Sequence, residues 1–152
     1  MRNFDKTQIR NRKRTLSRLV AAQILYQYEF FNRKRDIEKL TDEIIDNYAL
    51  FEDEKIKSYR KFVDLELINK IITIAIDNIE KIDDLIKVNL AEKAQIDRLS
   101  KQILRLGIAE ILFVEDIDTS ISITEYSDIA GCFFEGSQIT TITFILNQIK
   151  ND

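Results

Sequence analysis

The sequence predicts an all-α fold, a compact bundle of about six to seven helices. Three observations carry this. Proline is absent and there are three glycines, too little punctuation for a strand-and-turn fold. Apolar residues recur at steps of three and four: Ile68, Ile71, Ile72, Ala75, Ile79, Ile82 and Ile86 fall on one helical face. Asp77, Asp83 and Asp84 fall away from that face and read as a solvated side.

The elements run in order. The first helix is predicted over residues 13–31, with Leu16, Leu19, Val20 and Ile24 along it. The second covers residues 37–50, and Asp36 is its N-cap, a side chain able to accept from the first free amides. The polar stretch 52–61 reads as a loop or a short extra turn. A long third helix spans residues 63–89. The fourth spans 98–114 and is apolar around much of its circumference, so it should be the most buried element. Residues 116–120 form a break. Ser122-Ile123-Thr124-Glu125 then fits a capping box and starts the fifth helix, which runs to Phe134 and ends at Gly136 as a left-handed cap. The last helix covers residues 138–149. Its run Ile139-Thr140-Thr141-Ile142-Thr143 favours a strand by propensity, but Ile142, Ile145, Leu146 and Ile149 keep helical spacing.

A chain of 152 residues fits one domain, taken as residues 1–152. At this size folding buries roughly 70% of the unfolded surface, so neither disulfide nor metal is needed. The one cysteine, Cys132, has no histidine or second thiol to join it in a zinc site, and it suits a reducing cytoplasm. It reads as a small, half-buried residue. The charged N-terminus lacks the apolar run of a signal peptide, and no stretch approaches a membrane span.

Catalysis finds no constellation here. Histidine, the usual base of a nucleophilic triad, is absent. Gly107, Gly131 and Gly136 are scattered and form no phosphate loop. Acidic pairs such as Asp42-Glu43 and Asp83-Asp84 read as solvated faces. The chain is therefore expected to be no enzyme and to hold no cofactor or metal.

Charge asymmetry points elsewhere. Residues 1–18 hold Arg2, Lys6, Arg10, Arg12, Lys13, Arg14 and Arg18 against Asp5 alone, a balance of +6 within a chain whose net charge is −3. A basic arm on an acidic body suits a polyanion such as RNA. Charge alone leaves open that the arm is merely solvated. Arg98, Lys101 and Arg105 lie at i, i+3 and i+7, which lines them along one face of the fourth helix. Tyr26 and Tyr28 offer rings that could stack on bases or pack in the core.

Three motifs then fall into register. Arg18-x-x-Ala21-Ala22-Gln23-Ile24-Leu25-Tyr26-Gln27 resembles the opening helix of the NusB family of transcription antitermination factors. The segment from Ile103 through Leu104-Arg105-Leu106-Gly107 to Leu112 resembles that family's fourth-helix signature. Ile121-x-Ile123-Thr124-Glu125-Tyr126-x-x-Ile129-Ala130 resembles its Ile-Asn-Glu helix. The resemblance covers nearly the whole chain. It implies two packed three-helix halves and a cytoplasmic protein binding boxA-type RNA with the ribosomal protein NusE, in support of ribosomal RNA transcription by RNA polymerase. By position it implies an RNA surface of Arg10, Arg12, Lys13, Arg14, Arg18, Tyr26, Lys101 and Arg105. A helical adaptor that kept the fold and lost RNA binding is the alternative.

The sequence also departs from the family. Thr124 stands where the family has asparagine, and Asp118 replaces a preceding proline. Thr141, Ile142, Thr143 and Phe144 occupy the places of a Phe-Val-Asn-Gly motif in the last helix, and Ser137 the place of a loop acid before it. The aromatic RNA contact of that motif is then absent, and weaker affinity or boxA specificity is expected.

Overall fold

A computed structural model describes residues 13–47 and 60–151. Seven α-helices run through these residues, together with one 3-10 turn at Arg60–Phe62. They are α1 (Lys13–Phe30), α2 (Ile37–Asn47), α3 (Leu65–Asp77), α4 (Ile79–Asn89), α5 (Arg98–Phe113), α6 (Thr119–Phe133) and α7 (Ser137–Asn151). No strand occurs among the described residues. The all-α expectation holds. The residues expected to extend the second helix to 50, and most of the expected loop at 52–61, lie outside the described residues.

The described chain forms two compact units, divided between Asn69 and Lys70. In the first, α1 packs against α2, and the 3-10 turn packs on α1. Asp36 caps α2 as expected, its Oδ1 accepting from the Glu38 amide at 2.8 Å. Ser17 Oγ donates to the Lys13 carbonyl and accepts the Asp64 amide at 2.8 Å, tying the approach to α3 onto α1. Arg60 bridges Asp42 and Asp46 of α2. Its pKa is raised, first by the hydrogen bond to Asp46 and then by that to Asp42.

In the second unit, α5, α6 and α7 pack pairwise on one another, and α4 lies against α5 and α7. Helix α5 is buried without interruption from Gln102 to Glu110. Its start is fixed by Asp97, whose carboxylate accepts the Ser100 amide at 2.8 Å and the Ser100 hydroxyl at 2.6 Å. Gly107 lets the helices close: a Cβ there would stand 2.8 Å from Leu146 Cδ2 and 3.3 Å from Tyr126 Cδ2. The β-branched run of α7 is helical, with Ile142, Ile145, Leu146 and Ile149 buried as their spacing predicted. Here the apolar stripe overrides strand propensity. Cys132 is buried rather than half-buried.

Three further expectations need correction. The long third helix is two helices, α3 and α4, broken at Asn78. There φ is −117° and ψ 20°, and the side-chain amide donates to the Ile74 carbonyl at 2.8 Å. The side chain competes for a backbone acceptor while the apolar stripe continues past it. The fifth expected helix, α6, starts earlier than Ser122. Asp118 is its cap, accepting the Ser120 amide at 2.8 Å. Ser122 lies inside the helix, buried, and its hydroxyl donates to Glu110 at 3.3 Å. Gly136 has the expected left-handed φ of 64°, but α6 ends in extended Phe134 and the Gly136 carbonyl serves α7, accepting the Thr140 amide at 3.2 Å.

Candidate nucleic-acid interface

The cations expected to meet RNA divide by burial. Lys13 and Arg14 open α1 and are exposed. Arg10 and Arg12 lie outside the described residues. Arg18 is one turn beyond Arg14 and only 1% exposed. The reason is local: Thr15, Leu16, Ser17, Leu19 and Val20 are all buried, so α1 has no solvated face at that level. A guanidinium enclosed in this way cannot reach a phosphate. The contact role expected for Arg18 is corrected to an internal one.

Arg105 is corrected in the same sense. It is 2% exposed and turned inward from the middle of α5. Nε donates to Asp83 Oδ1 at 2.8 Å and Nη2 to Asp83 Oδ2 at 2.7 Å, while Nη1 donates to Gln102 Oε1 at 3.1 Å. This bidentate grip is the geometry with which arginine recognises a carboxylate. It joins α4 to α5 and leaves Arg105 no role at the surface. Asp83, expected on a solvated face, is thus a structural partner.

The strip on α5 therefore ends one turn earlier. Arg98 is exposed, and Lys101 is half-exposed with its Nζ 3.9 Å from the same Asp83 Oδ2. At 3.9 Å and partial exposure this ion pair is weak, so Lys101 keeps a charge to offer. Tyr26, in the last two turns of α1, is exposed at 37%, while Tyr28 is half-buried. Sequence reasoning passed over the neighbouring residues at the end of α1. There Phe30, Phe31, Arg33, Lys34 and Arg35 bring aromatics and cations together at the surface. Their adjacency in the sequence was a visible signal.

The last helix presents Thr141 where the resemblance places an aromatic residue. Thr141 is exposed and lines a cavity of about 300 Å³ with Gln95, Asp97, Ser100 and Gln138, between the heads of α5 and α7. Phe144, one turn further, is exposed on the same helix. No group of three or more histidine, cysteine or acidic residues that could hold a metal occurs among the described residues. No helix among them is long and apolar enough to cross a membrane.

Comparison with known proteins identifies the family. The sequence model of the NusB family matches residues 15–149. A transcription antitermination protein NusB of Rickettsia bellii is 31% identical over 150 residues, covering 92% of this chain and 91% of the relative. The protein of the same name from Novosphingobium aromaticivorans is 30% identical over 149 residues, covering 96% and 98%. Among solved structures, T. maritima NusB superposes with a TM-score of 0.71 at 28% identity, covering 91% of each chain. A crystal structure of the antitermination factors NusB and NusE in complex with double-stranded RNA shares the fold, with a TM-score of 0.69 at 22% identity, covering 92% of this chain and 97% of that one. From the first turn of α1 to the last turn of α7, this chain belongs to the NusB family.

Proposed function

We propose that this chain is a cytoplasmic transcription antitermination factor that binds boxA-type RNA together with the ribosomal protein NusE, supporting ribosomal RNA transcription by RNA polymerase. The family match over residues 15–149 carries the reading. The exposed cations give it a surface. Lys13 and Arg14, preceded in sequence by Arg10 and Arg12, supply phosphate contacts, and Lys101 adds a further one. Tyr26 offers a ring to RNA or to the partner. Arginine suits phosphate because its planar fork stays charged and donates in pairs. The body beyond the arm carries the chain's excess of acid, which favours a basic ribosomal protein as partner. The solved NusB–NusE–RNA assembly supports the same pairing of ligands on this fold. The protein would act by positioning RNA and NusE, without chemistry of its own.

A second reading, an adaptor that binds protein without RNA, is favoured by one observation. Thr141 and Phe144 of α7 stand where the family carries Phe and Gly. A mobility-shift titration separates the two. Tighter binding of boxA RNA than of a scrambled RNA, increased by NusE, is expected. Equal affinity for both RNAs, with NusE still bound, would leave the adaptor.

A further inference from the structure

We propose that the C-terminal end of α1 is a stacking platform for unpaired bases, a second RNA contact beyond the basic N-terminal arm. The proposal rests on the RNA-binding reading of the chain. Tyr26 and Phe30 are four residues apart and so share a face of α1. Phe30 is 57% exposed and Phe31 39%, unusual for phenylalanine. Their rings meet edge to face, with centroids 5.3 Å apart, and the Arg35 guanidinium lies 5.3 Å from the Phe31 centroid.

The turn after α1 adds charge. Asn32 and Arg33 both take left-handed backbone, φ 55° and 61°, and the Arg33 amide returns to the Tyr28 carbonyl at 2.9 Å. The turn keeps Lys34 next to Phe31, its amide donating to the Phe31 carbonyl at 3.2 Å, and sets Arg35 against the Phe31 ring. Arg33 is anchored by Glu29 and Arg35 by Glu43, each at 2.7 Å. Lys34 is exposed and has no carboxylate partner among the described residues. Exposed rings interleaved with cations are what single-stranded nucleic acid requires, since every base has a face to stack and every nucleotide a phosphate. A guanidinium already laid over a ring also presents a plane on which a base can stack. The charge selects a polyanion over an apolar peptide, and RNA is the polyanion of the proposed function.

The sequence contains no tryptophan, so Phe30→Trp places one fluorophore on the platform. The full chain is titrated with boxA RNA alone and with boxA RNA extended by six unpaired uridines at either end. For the unsubstituted chain one extension is expected to tighten binding about tenfold, the scale of one or two stacked bases. That gain should vanish in Phe30→Ala/Phe31→Ala, and the tryptophan emission of Phe30→Trp should be quenched by the extended RNA only. A charge reversal, Lys34→Glu, leaves the rings in place and is expected to reduce the same gain. If RNA binds but neither extension changes affinity or emission, the platform is refuted while the RNA reading stands. If no RNA binds the unsubstituted chain, both fall. Loss of NusE binding in the double variant, with RNA affinity intact, assigns the patch to protein and also refutes the proposal.

Discussion

Arg105 and Asp83 face each other through two parallel hydrogen bonds, 2.8 and 2.7 Å long, that join α5 to α4. The arginine side chain is 3% exposed and the aspartate 30%. Removing the acid leaves a buried guanidinium with its main partner gone. Asp83→Ala is expected to destabilise the fold by about 2–3 kcal/mol, below the value for a fully buried pair because Asp83 is partly solvated. The melting temperature should fall by about 5–10 °C. The double replacement Asp83→Leu/Arg105→Met should recover much of this loss, since it removes both charges together. Thermal melts of the unsubstituted chain and the two variants check it. A double variant no more stable than Asp83→Ala would contradict the pairing.

Gly107 and Gly131 should respond oppositely to alanine. At Gly107 a Cβ meets Leu146 at 2.8 Å, where three helices converge. Gly107→Ala is expected to cost about 1–3 kcal/mol through overpacking. At Gly131 the nearest atom is 4.0 Å away, and the residue lies inside α6. Gly131→Ala should therefore stabilise by about 0.5–1 kcal/mol, by reducing the freedom of the unfolded chain. Denaturant midpoints of the two variants should move in opposite directions.

The start of α6 supplies a third test. Asp118 holds the cap, so Asp118→Ala should cost about 1 kcal/mol, and Asp118→Asn or Asp118→Ser should restore most of it. Chemical denaturation of the three variants reads this directly. Equal losses for all three would show that the side-chain oxygen is not acting as the cap.

Apolar spacing made the helical course of the chain legible, including α7 against its β-branched run, because burial of a stripe outweighs local propensity, but it read α3 and α4 as one helix. It missed the break at Asn78, where the stripe persists through a change in backbone path. The capping-box pattern placed the cap at Ser122, since Ser122-x-x-Glu125 and Asp118-x-Ser120 compete locally and only packing puts Ser122 beside Glu110. For the candidate interface, helical spacing put Arg98, Lys101 and Arg105 on one strip. It could not show that Arg105 meets Asp83, 22 positions away. Charge counting found the basic arm but could not separate the exposed Lys13 and Arg14 from the enclosed Arg18.

That separation decides the most direct test of the central claim, that RNA is held by the solvated cations at the head of α1. Affinity for boxA RNA is measured across a range of salt, for the unsubstituted chain and for Arg12→Ala/Lys13→Ala/Arg14→Ala, with Arg18 left intact because its loss would disturb the core. Each phosphate contact on a single strand contributes about 0.7 to the slope of log affinity against log salt. Weaker binding by the triple variant is predicted, with a slope reduced by about 1–2 and an unchanged melting temperature. Unchanged affinity and slope would contradict the claim.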